Sequence, residues 1–178
     1  LACAMLDPRI ASSPSKLRAS SSTSISTTPL TLEQVFEYFM EMDEARELLT
    51  DISKLSPSEL LFVVDVRLPR SEMDWARKKV RLTRKGWGGA YSMIRYRMDR
   101  AALGKDPYTN YTFQEILDEG GICMDQAYFA VNTAKCNGIP SAYVTGDGNR
   151  GPHAWVNLLT TDETWQSYGG YGYNTGHF

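Results

Sequence analysis

The stretch that decides the fold starts with residues 120–127, Gly-Gly-Ile-Cys-Met-Asp-Gln-Ala, and continues to Pro140. A glycine pair allows a sharp turn of the backbone, and Cys123 follows it at the start of a helical pattern. The pattern ends at Asn137-Gly138 with Pro140 beyond, which is typical of a helix C-terminus. We therefore predict a helix that begins at Cys123, where unpaired backbone N–H groups and the helix dipole favour a thiolate.

The side chains of the predicted helix indicate that it lies at the centre of the domain. Small residues recur along one face, at Cys123, Ala127, Ala130, Val131, Ala134 and Gly138. Such a stripe lets a helix approach a sheet closely. Cys136 stands about 20 Å from Cys123 along such a helix, so the two thiols can neither form a disulfide nor share a metal ion. We interpret Cys136 as a small core residue.

A histidine lies in the strand pattern that follows. Residues 142–145 are predicted as one strand, and residues 153–159 and 164–168 as an antiparallel pair. If this sheet packs against the predicted helix, His153 reaches Cys123 from its strand. A thiol at a helix start with a histidine beside it is the arrangement of an activated cysteine nucleophile. Each residue also has a plain structural interpretation, with Cys123 as a buried thiol and His153 as a core histidine bonded to backbone.

The same residues resemble the core of the transglutaminase-like superfamily. The resemblance covers about residues 57–178 and rests on Gly121-x-Cys123-x-Asp125-x-Ala127, Gly138-Ile139-Pro140 and His153-Ala154-Trp155. It implies a papain-like α+β fold, in which the helix bearing the nucleophile packs on an antiparallel sheet bearing the histidine. It also implies acyl transfer or hydrolysis at an amide bond of a protein or peptide, through a Cys–His dyad and without a cofactor.

The sequence departs from the family pattern at the third catalytic position. The family usually places an aspartate a few residues past a tryptophan on the strand after the histidine strand, but Trp165 is followed by Gln-Ser-Tyr-Gly-Gly. We expect Ser167, Tyr168 or a backbone carbonyl of this strand to orient the imidazole, with Asn174 or a group beyond the chain as alternatives. The missing carboxylate keeps a second hypothesis open, a catalytically weak or inactive module used for binding or scaffolding.

The oxyanion of an acyl-transfer reaction needs two hydrogen-bond donors. The backbone N–H of Cys123 is the first that we expect. Family members with transferase activity use the indole of an upstream tryptophan as the second, and Trp87, within Gly86-Trp87-Gly88-Gly89, is the candidate in this sequence.

Other local patterns predict a helical layer before the core. Thr31 opens an amphipathic pattern that continues to Ile52, Ser56-Pro57 opens a second helix, and Ser71 caps a third over residues 72–82. Residues 91–98 fit a strand or a helix, and Thr112 caps a short helix that Gly120 ends. Residues 146–149, Gly-Asp-Gly-Asn, are typical of a turn.

Length and composition indicate one domain. The chain has 178 residues, of which 42% are hydrophobic and 22% are charged, as in ordinary globular proteins. Residues 1–30 are rich in serine and threonine and are predicted to be a disordered linker, and residues 31–178 form the transglutaminase-like domain. We expect a fragment, with the domain truncated at its C-terminus. No apolar run approaches the length of a transmembrane helix.

Charge and cysteine content limit the partners. A net charge of −2 gives no reason to expect nucleic acid, and Cys123 with His153 lacks the further ligands that a zinc ion requires. Residues 67–105 hold 12 of the 19 lysines and arginines, whereas residues 33–65 hold nine acids. The basic segment either forms a surface for an anionic polymer or faces the acidic segment or water.

The location of the protein stays open. Leu1-Ala2-Cys3, followed by the linker, matches the tail of a cleaved lipoprotein signal, although three residues also match by chance. The match favours a bacterial cell envelope or another extracytoplasmic location over the cytoplasm.

Overall fold

The computed structural model describes residues 27–148 and 151–170. In chain order this part contains α1 (Leu32–Glu44), α2 (Pro57–Val64), α3 (Arg70–Lys79), α4 (Gly89–Met93), α5 (Met98–Leu103), α6 (Phe113–Glu119), α7 (Cys123–Cys136), β1 (Ser141–Gly148), β2 (Gly151–Leu159) and β3 (Trp165–Tyr168). A short 3-10 helix, Ile52–Lys54, lies between α1 and α2. Most of the predicted linker and the position of Asn174 lie outside the described residues.

The three strands form one antiparallel sheet in the order β1-β2-β3. Gly146 of β1 lies opposite His153 of β2, and Asn157 of β2 lies opposite Ser167 of β3. Helix α7 packs against β1 and β2, and helices α2, α3, α4 and α6 also contact it. The predicted α+β architecture, a nucleophile helix on an antiparallel sheet preceded by a helical layer, is confirmed.

Helix α7 is buried on nearly every side, as its stripe of small residues predicted. Ala127, Ala130 and Ala134 have no exposed surface, and neither does Phe129 on another face. A fully buried phenylalanine contributes about 1.5–3 kcal/mol through the hydrophobic effect. The polar Thr133 is satisfied within the helix, since its hydroxyl donates to the Phe129 carbonyl at 2.6 Å. The helix is therefore a rigid base for the residue at its start.

Three of the earlier helices begin where their capping residues predicted. Thr31 Oγ1 accepts the N–H of Gln34, and the Gln34 side chain accepts the N–H of Thr31 in return. The same reciprocal cap occurs at Ser56 with Glu59 in α2 and at Thr112 with Glu115 in α6. Each such cap satisfies two backbone donors that a helix start would otherwise leave unpaired.

Other boundaries differ from the sequence prediction. Helix α1 ends at Glu44, because Arg46 turns the chain with a φ of 56°. Ser71 is not a cap but lies inside α3, which follows Pro69. Residues 146–148 are not a turn, because they continue the β1 ladder as far as Gly148 opposite Gly151.

The ambiguous segment at residues 91–98 proves to be mixed. Its first part belongs to α4, which ends at Met93. Tyr96 then forms an isolated parallel bridge with Gly121, and α5 starts at Met98. This bridge ties the segment to the residues just before Cys123.

Ion pairs join the acidic and basic segments. Arg70 contacts Glu41 at 2.7 Å, and Arg77 pairs with Glu47. The two segments therefore face each other at these positions, and an anionic partner for the remaining basic residues stays a prediction. Among the helices of the described part, none is both long enough and apolar enough to cross a bilayer.

Candidate active site

Cys123 is the first residue of α7, preceded by Ile122 in an extended conformation. Its side chain is partly exposed, whereas Cys136 at the other end of the helix is buried. Burial raises the pKa of the Cys136 thiol, so that this group stays uncharged at neutral pH. Of these two thiols, Cys123 is therefore the one that a reagent or substrate can reach.

The glycine pair before Cys123 fits a space that no other residue could occupy. Gly120 has a φ of +74°, and a Cβ there would lie 2.4 Å from the carbonyl oxygen of Arg95. A Cβ on Gly121 would lie 2.5 Å from Asp125 Oδ2 and 2.7 Å from the Tyr108 hydroxyl. The backbone thus approaches these groups closely just before it enters α7.

His153 lies on β2, with its ring held from two sides. Its Nε2 lies 2.6 Å from the carbonyl oxygen of Gly169, and its ring stacks against Trp155 with centroids 6.0 Å apart. A carbonyl can only accept a hydrogen bond, so Nε2 carries the proton. In the neutral ring, Nδ1 is then the basic nitrogen.

Ser167 and Tyr168 make their described hydrogen bonds elsewhere. The Ser167 hydroxyl donates to Asn157 Oδ1 at 2.6 Å, and the Tyr168 hydroxyl donates to Gln166 at 2.8 Å. The strand register is the reason, because it sets Ser167 opposite a residue four positions from His153, about 13 Å along β2. The described acceptor at the imidazole is the backbone carbonyl of Gly169, one residue past the end of β3. A backbone carbonyl of this strand was among the expected alternatives, although the sequence did not single out which residue supplies it.

Gly169 occupies its position because it lacks a side chain. Its φ is +81°, and a Cβ there would lie 2.5 Å from the ring of Tyr91. Tyr91, in α4, donates its hydroxyl to the carbonyl of Ala154, the neighbour of His153, at 2.9 Å. The only sequence signal for this contact is the glycine pair that follows β3.

Helix α4 and the residues after it contact both parts of the site. Tyr91 binds the strand beside His153, as described above. At the other end of this segment, the Gln126 amide donates to the Ile94 carbonyl at 2.8 Å, one turn after Cys123. The start of α7 and the histidine strand are therefore held against the same short segment.

Trp87 lies just before α4 and has no exposed surface. Its indole Nε1 is buried and has no hydrogen-bond partner among the described residues. An unpaired buried donor is costly, and few such groups occur in a folded domain. A group of this kind is available to bind an oxygen atom that enters the domain.

Asp125 is buried at the first turn of α7, and its carboxylate accepts the N–H of Ile122 at 2.7 Å. The Asp125 carboxylate thus caps the backbone at the start of α7. Within residues 27–148 and 151–170, no cluster of three or more histidine, cysteine, aspartate or glutamate side chains could hold a metal ion.

Comparison with known proteins identifies a family over more than half of the chain. The sequence model of the transglutaminase-like superfamily matches residues 73–169. Among proteins with curated descriptions, none matches the chain.

Two solved structures are similar to the chain. The first, of a proposed cysteine protease from Cytophaga hutchinsonii, has a TM-score of 0.50 and 19% identity, over 69% of this chain and 46% of that one. The second, the periplasmic domain of TgpA from Pseudomonas aeruginosa bound to ethylmercury, has a TM-score of 0.44 and 18% identity, over 65% and 49% of the two chains. The matched part thus spans about half the length of each, and the first likeness supports the fold.

Proposed function

Because the chain belongs to the transglutaminase-like superfamily, we propose that Cys123 and His153 form a dyad for acyl transfer or hydrolysis at an amide bond of a protein or peptide. The observation that supports this most directly is the 2.6 Å contact between His153 Nε2 and the Gly169 carbonyl. It leaves Nδ1 as the basic nitrogen, which a histidine needs in order to take the proton of a thiol. Cys123 supplies that thiol at the start of α7.

The reaction begins when His153 takes the proton of Cys123 and the thiolate attacks the carbonyl carbon of the amide. The tetrahedral intermediate then collapses, the C–N bond breaks, and His153 gives the proton to the leaving amine. A thioester on Cys123 remains. Water, or an incoming amine in the transferase case, attacks this thioester and gives its proton to His153. The C–S bond then breaks, the acid or the new amide leaves, and His153 returns the proton to the Cys123 thiolate.

Two donors are available for the oxyanion. One is the backbone N–H of Cys123, which lies in the first turn of α7 and so has no partner within the helix. The other is the indole of Trp87, supported by its burial and by its lack of a partner among the described residues. Removing one such donor from an oxyanion hole costs about 100- to 1,000-fold in rate.

The second candidate function is a binding module with little catalysis, and the same histidine contact favours it. A carbonyl is neutral, so it orients the imidazole but stabilises the imidazolium less than a carboxylate does.

If the dyad is active, we therefore expect it to be weakly activated. Hydrolysis is the default reaction, because water needs no second binding site.

Reaction with p-nitrophenyl acetate tests the proposal without knowledge of the natural substrate. We expect a burst of nitrophenolate and an acetyl group on Cys123, found by mass spectrometry, in a Cys3→Ser background. The burst is lost in Cys123→Ser and His153→Ala and kept in Cys136→Ser. Equal acetylation of Cys123 in His153→Ala and the parent would overturn the dyad.

A further inference from the structure

Asp125 carries a buried charge that the proposed mechanism does not use. The residue is 1% exposed, and its carboxylate meets donors from three separate parts of the chain. Oδ2 accepts the N–H of Ile122 at 2.7 Å and forms an ion pair with the guanidinium of Arg100 from α5. Oδ1 accepts the hydroxyl of Tyr111 at 2.8 Å.

The two tyrosines beside this carboxylate keep their protons at neutral pH. Burial raises the pKa of Tyr111, and burial raises the pKa of Tyr108 to about 12. Tyr111 is also held at a φ of 57°, a conformation that side chains rarely adopt. Tyr108 donates to the Gly120 carbonyl at 2.7 Å and lies under the Arg100 guanidinium, 5.0 Å from it. The surroundings of the carboxylate are thus fixed from several directions.

A negative charge on Asp125 has two effects at the start of α7, one favourable to the helix and one unfavourable to a thiolate at Cys123. It stabilises the helix start, because it lies at the positive end of the dipole and bonds an otherwise unpaired N–H. It also opposes the thiolate, because two like charges within one helical turn repel each other. Arg100, only 15% exposed, forms an ion pair with the same carboxylate and places a positive charge beside it.

We propose that Asp125 and Arg100 are a pair of positioning residues for Cys123. Asp125 holds the residue before the thiol in place, and Arg100 neutralises the carboxylate so that it does not oppose the thiolate. This inference rests on the proposed function, since it assigns the pair to the same nucleophile.

Other titratable groups also face the start of α7. Burial raises the pKa of Tyr96, which lies on the segment bridged to Gly121. Arg97 of that segment pairs with Asp99 and Glu119. Tyr108 and Tyr111 contact Gly120 and Asp125, the ring of Tyr128 packs on Tyr111, and the Arg95 guanidinium donates to the Glu119 carbonyl. His153, the proposed base, lies on β2. All of them are the same in the variants below, so that a difference between variants reports on the Asp125–Arg100 pair.

The test is the pH profile of iodoacetamide labelling at Cys123, measured by mass spectrometry in a Cys3→Ser background. The variants are Arg100→Gln, Asp125→Asn and the double variant. Asparagine keeps an oxygen for the Ile122 N–H while it removes the charge. We expect Arg100→Gln to move the midpoint of the profile upward by about half a pH unit or more, from one uncancelled charge. Asp125→Asn does not move it upward, and the double variant returns it to the parent value.

Arg100→Lys distinguishes an electrostatic effect on the thiol from a general loss of stability, because lysine keeps the positive charge and changes only the shape of the side chain. We expect its midpoint to stay at the parent value and that of Arg100→Gln to move, even if both lose some Tm. The proposal is overturned if Arg100→Gln and Asp125→Asn move the midpoint equally and in the same direction, or if both lower the Tm and leave the midpoint unchanged. Failure of the dyad is distinct, because it appears as an unchanged profile in His153→Ala whatever the Arg100 variants do.

Discussion

The Nε2 atom of His153 lies 2.6 Å from the backbone carbonyl oxygen of Gly169. A main-chain oxygen cannot be removed by a side-chain substitution, so the orientation of the imidazole depends on where the end of β3 lies. Gly169 in turn packs against the Tyr91 ring. The position of His153 Nε2 therefore depends on how Gly169 packs against Tyr91.

Gly169→Ala is predicted to destabilise the protein and to change the reactivity of Cys123. A methyl group there is strained by the φ of +81° and also meets the Tyr91 ring, so we expect a loss of about 2–4 kcal/mol. Gly151→Ala is the control, since its φ is +88° but no atom of the described residues lies within 4 Å of the added carbon. It should cost about 1 kcal/mol and leave the labelling of Cys123 unchanged. Urea unfolding measures both losses, and equal losses in the two variants would contradict the packing argument.

Ser167→Ala tests whether the serine acts on the imidazole. Because its hydroxyl donates to Asn157, we expect the pH profile of Cys123 labelling to stay the same. Tyr168→Phe should behave likewise, since that hydroxyl donates to Gln166. If the midpoint of the labelling profile moved upward in either variant, that hydroxyl would be shown to act on the imidazole of His153.

Cys123 is predicted to react with iodoacetamide more than about tenfold faster than Cys136 at neutral pH. Burial removes Cys136 from the solvent and raises the pKa of its thiol. The control is the protein in urea, where the two thiols should react at similar rates. Equal rates in the folded protein would contradict the assignment of Cys123 as the nucleophile.

Lys135→Met is predicted to stabilise the protein by about 1 kcal/mol at pH 7, because an apolar chain then replaces a buried ammonium group whose partner, Asp65, is exposed to solvent. Burial lowers the pKa of Lys135, and Asp65, 3.3 Å away, opposes this effect. Between that lowered pKa and the unfolded value of about 10.4 the folded state binds fewer protons, so the unfolding free energy of the parent rises with pH relative to the variant.

The advantage of Lys135→Met should therefore shrink between pH 7 and pH 10, as measured by urea unfolding at both values. Lys79→Met, at an exposed lysine of α3, controls for the loss of one charge. A difference that stays constant with pH would contradict the burial argument.

Local chemistry explains which parts of the fold the sequence could predict. The caps at Thr31, Ser56 and Thr112 act between residues three apart, and the small-residue stripe of α7 lies on one helix, so neighbouring positions contain the information. The end of α1 and the length of β1 depend on the rest of the domain, since a turn at Arg46 and a strand ladder override the local pattern.

The candidate site divides in the same way. Cys123 and His153 are recognisable side chains in recognisable local patterns. The acceptor at Gly169 is a backbone carbonyl, a group that every residue has, so only the arrangement of β3 and α4 brings it to the imidazole. Arg100 and Asp125 are 25 positions apart in the sequence, and neither has a local pattern that indicates the other.

The most direct test of the dyad is the rate of iodoacetamide labelling at Cys123 against pH, in the parent and in His153→Ala, both with Cys3→Ser. An ordinary thiol has a pKa of about 8.5 and reacts slowly below that pH because it is protonated. The account predicts that Cys123 of the parent keeps a substantial labelling rate below this pH, because the imidazolium stabilises the thiolate. His153→Ala should lose this low-pH reactivity and follow the profile of an ordinary thiol, with its Tm showing that it remains folded. Superimposable profiles in the two proteins would contradict the dyad and favour a binding module.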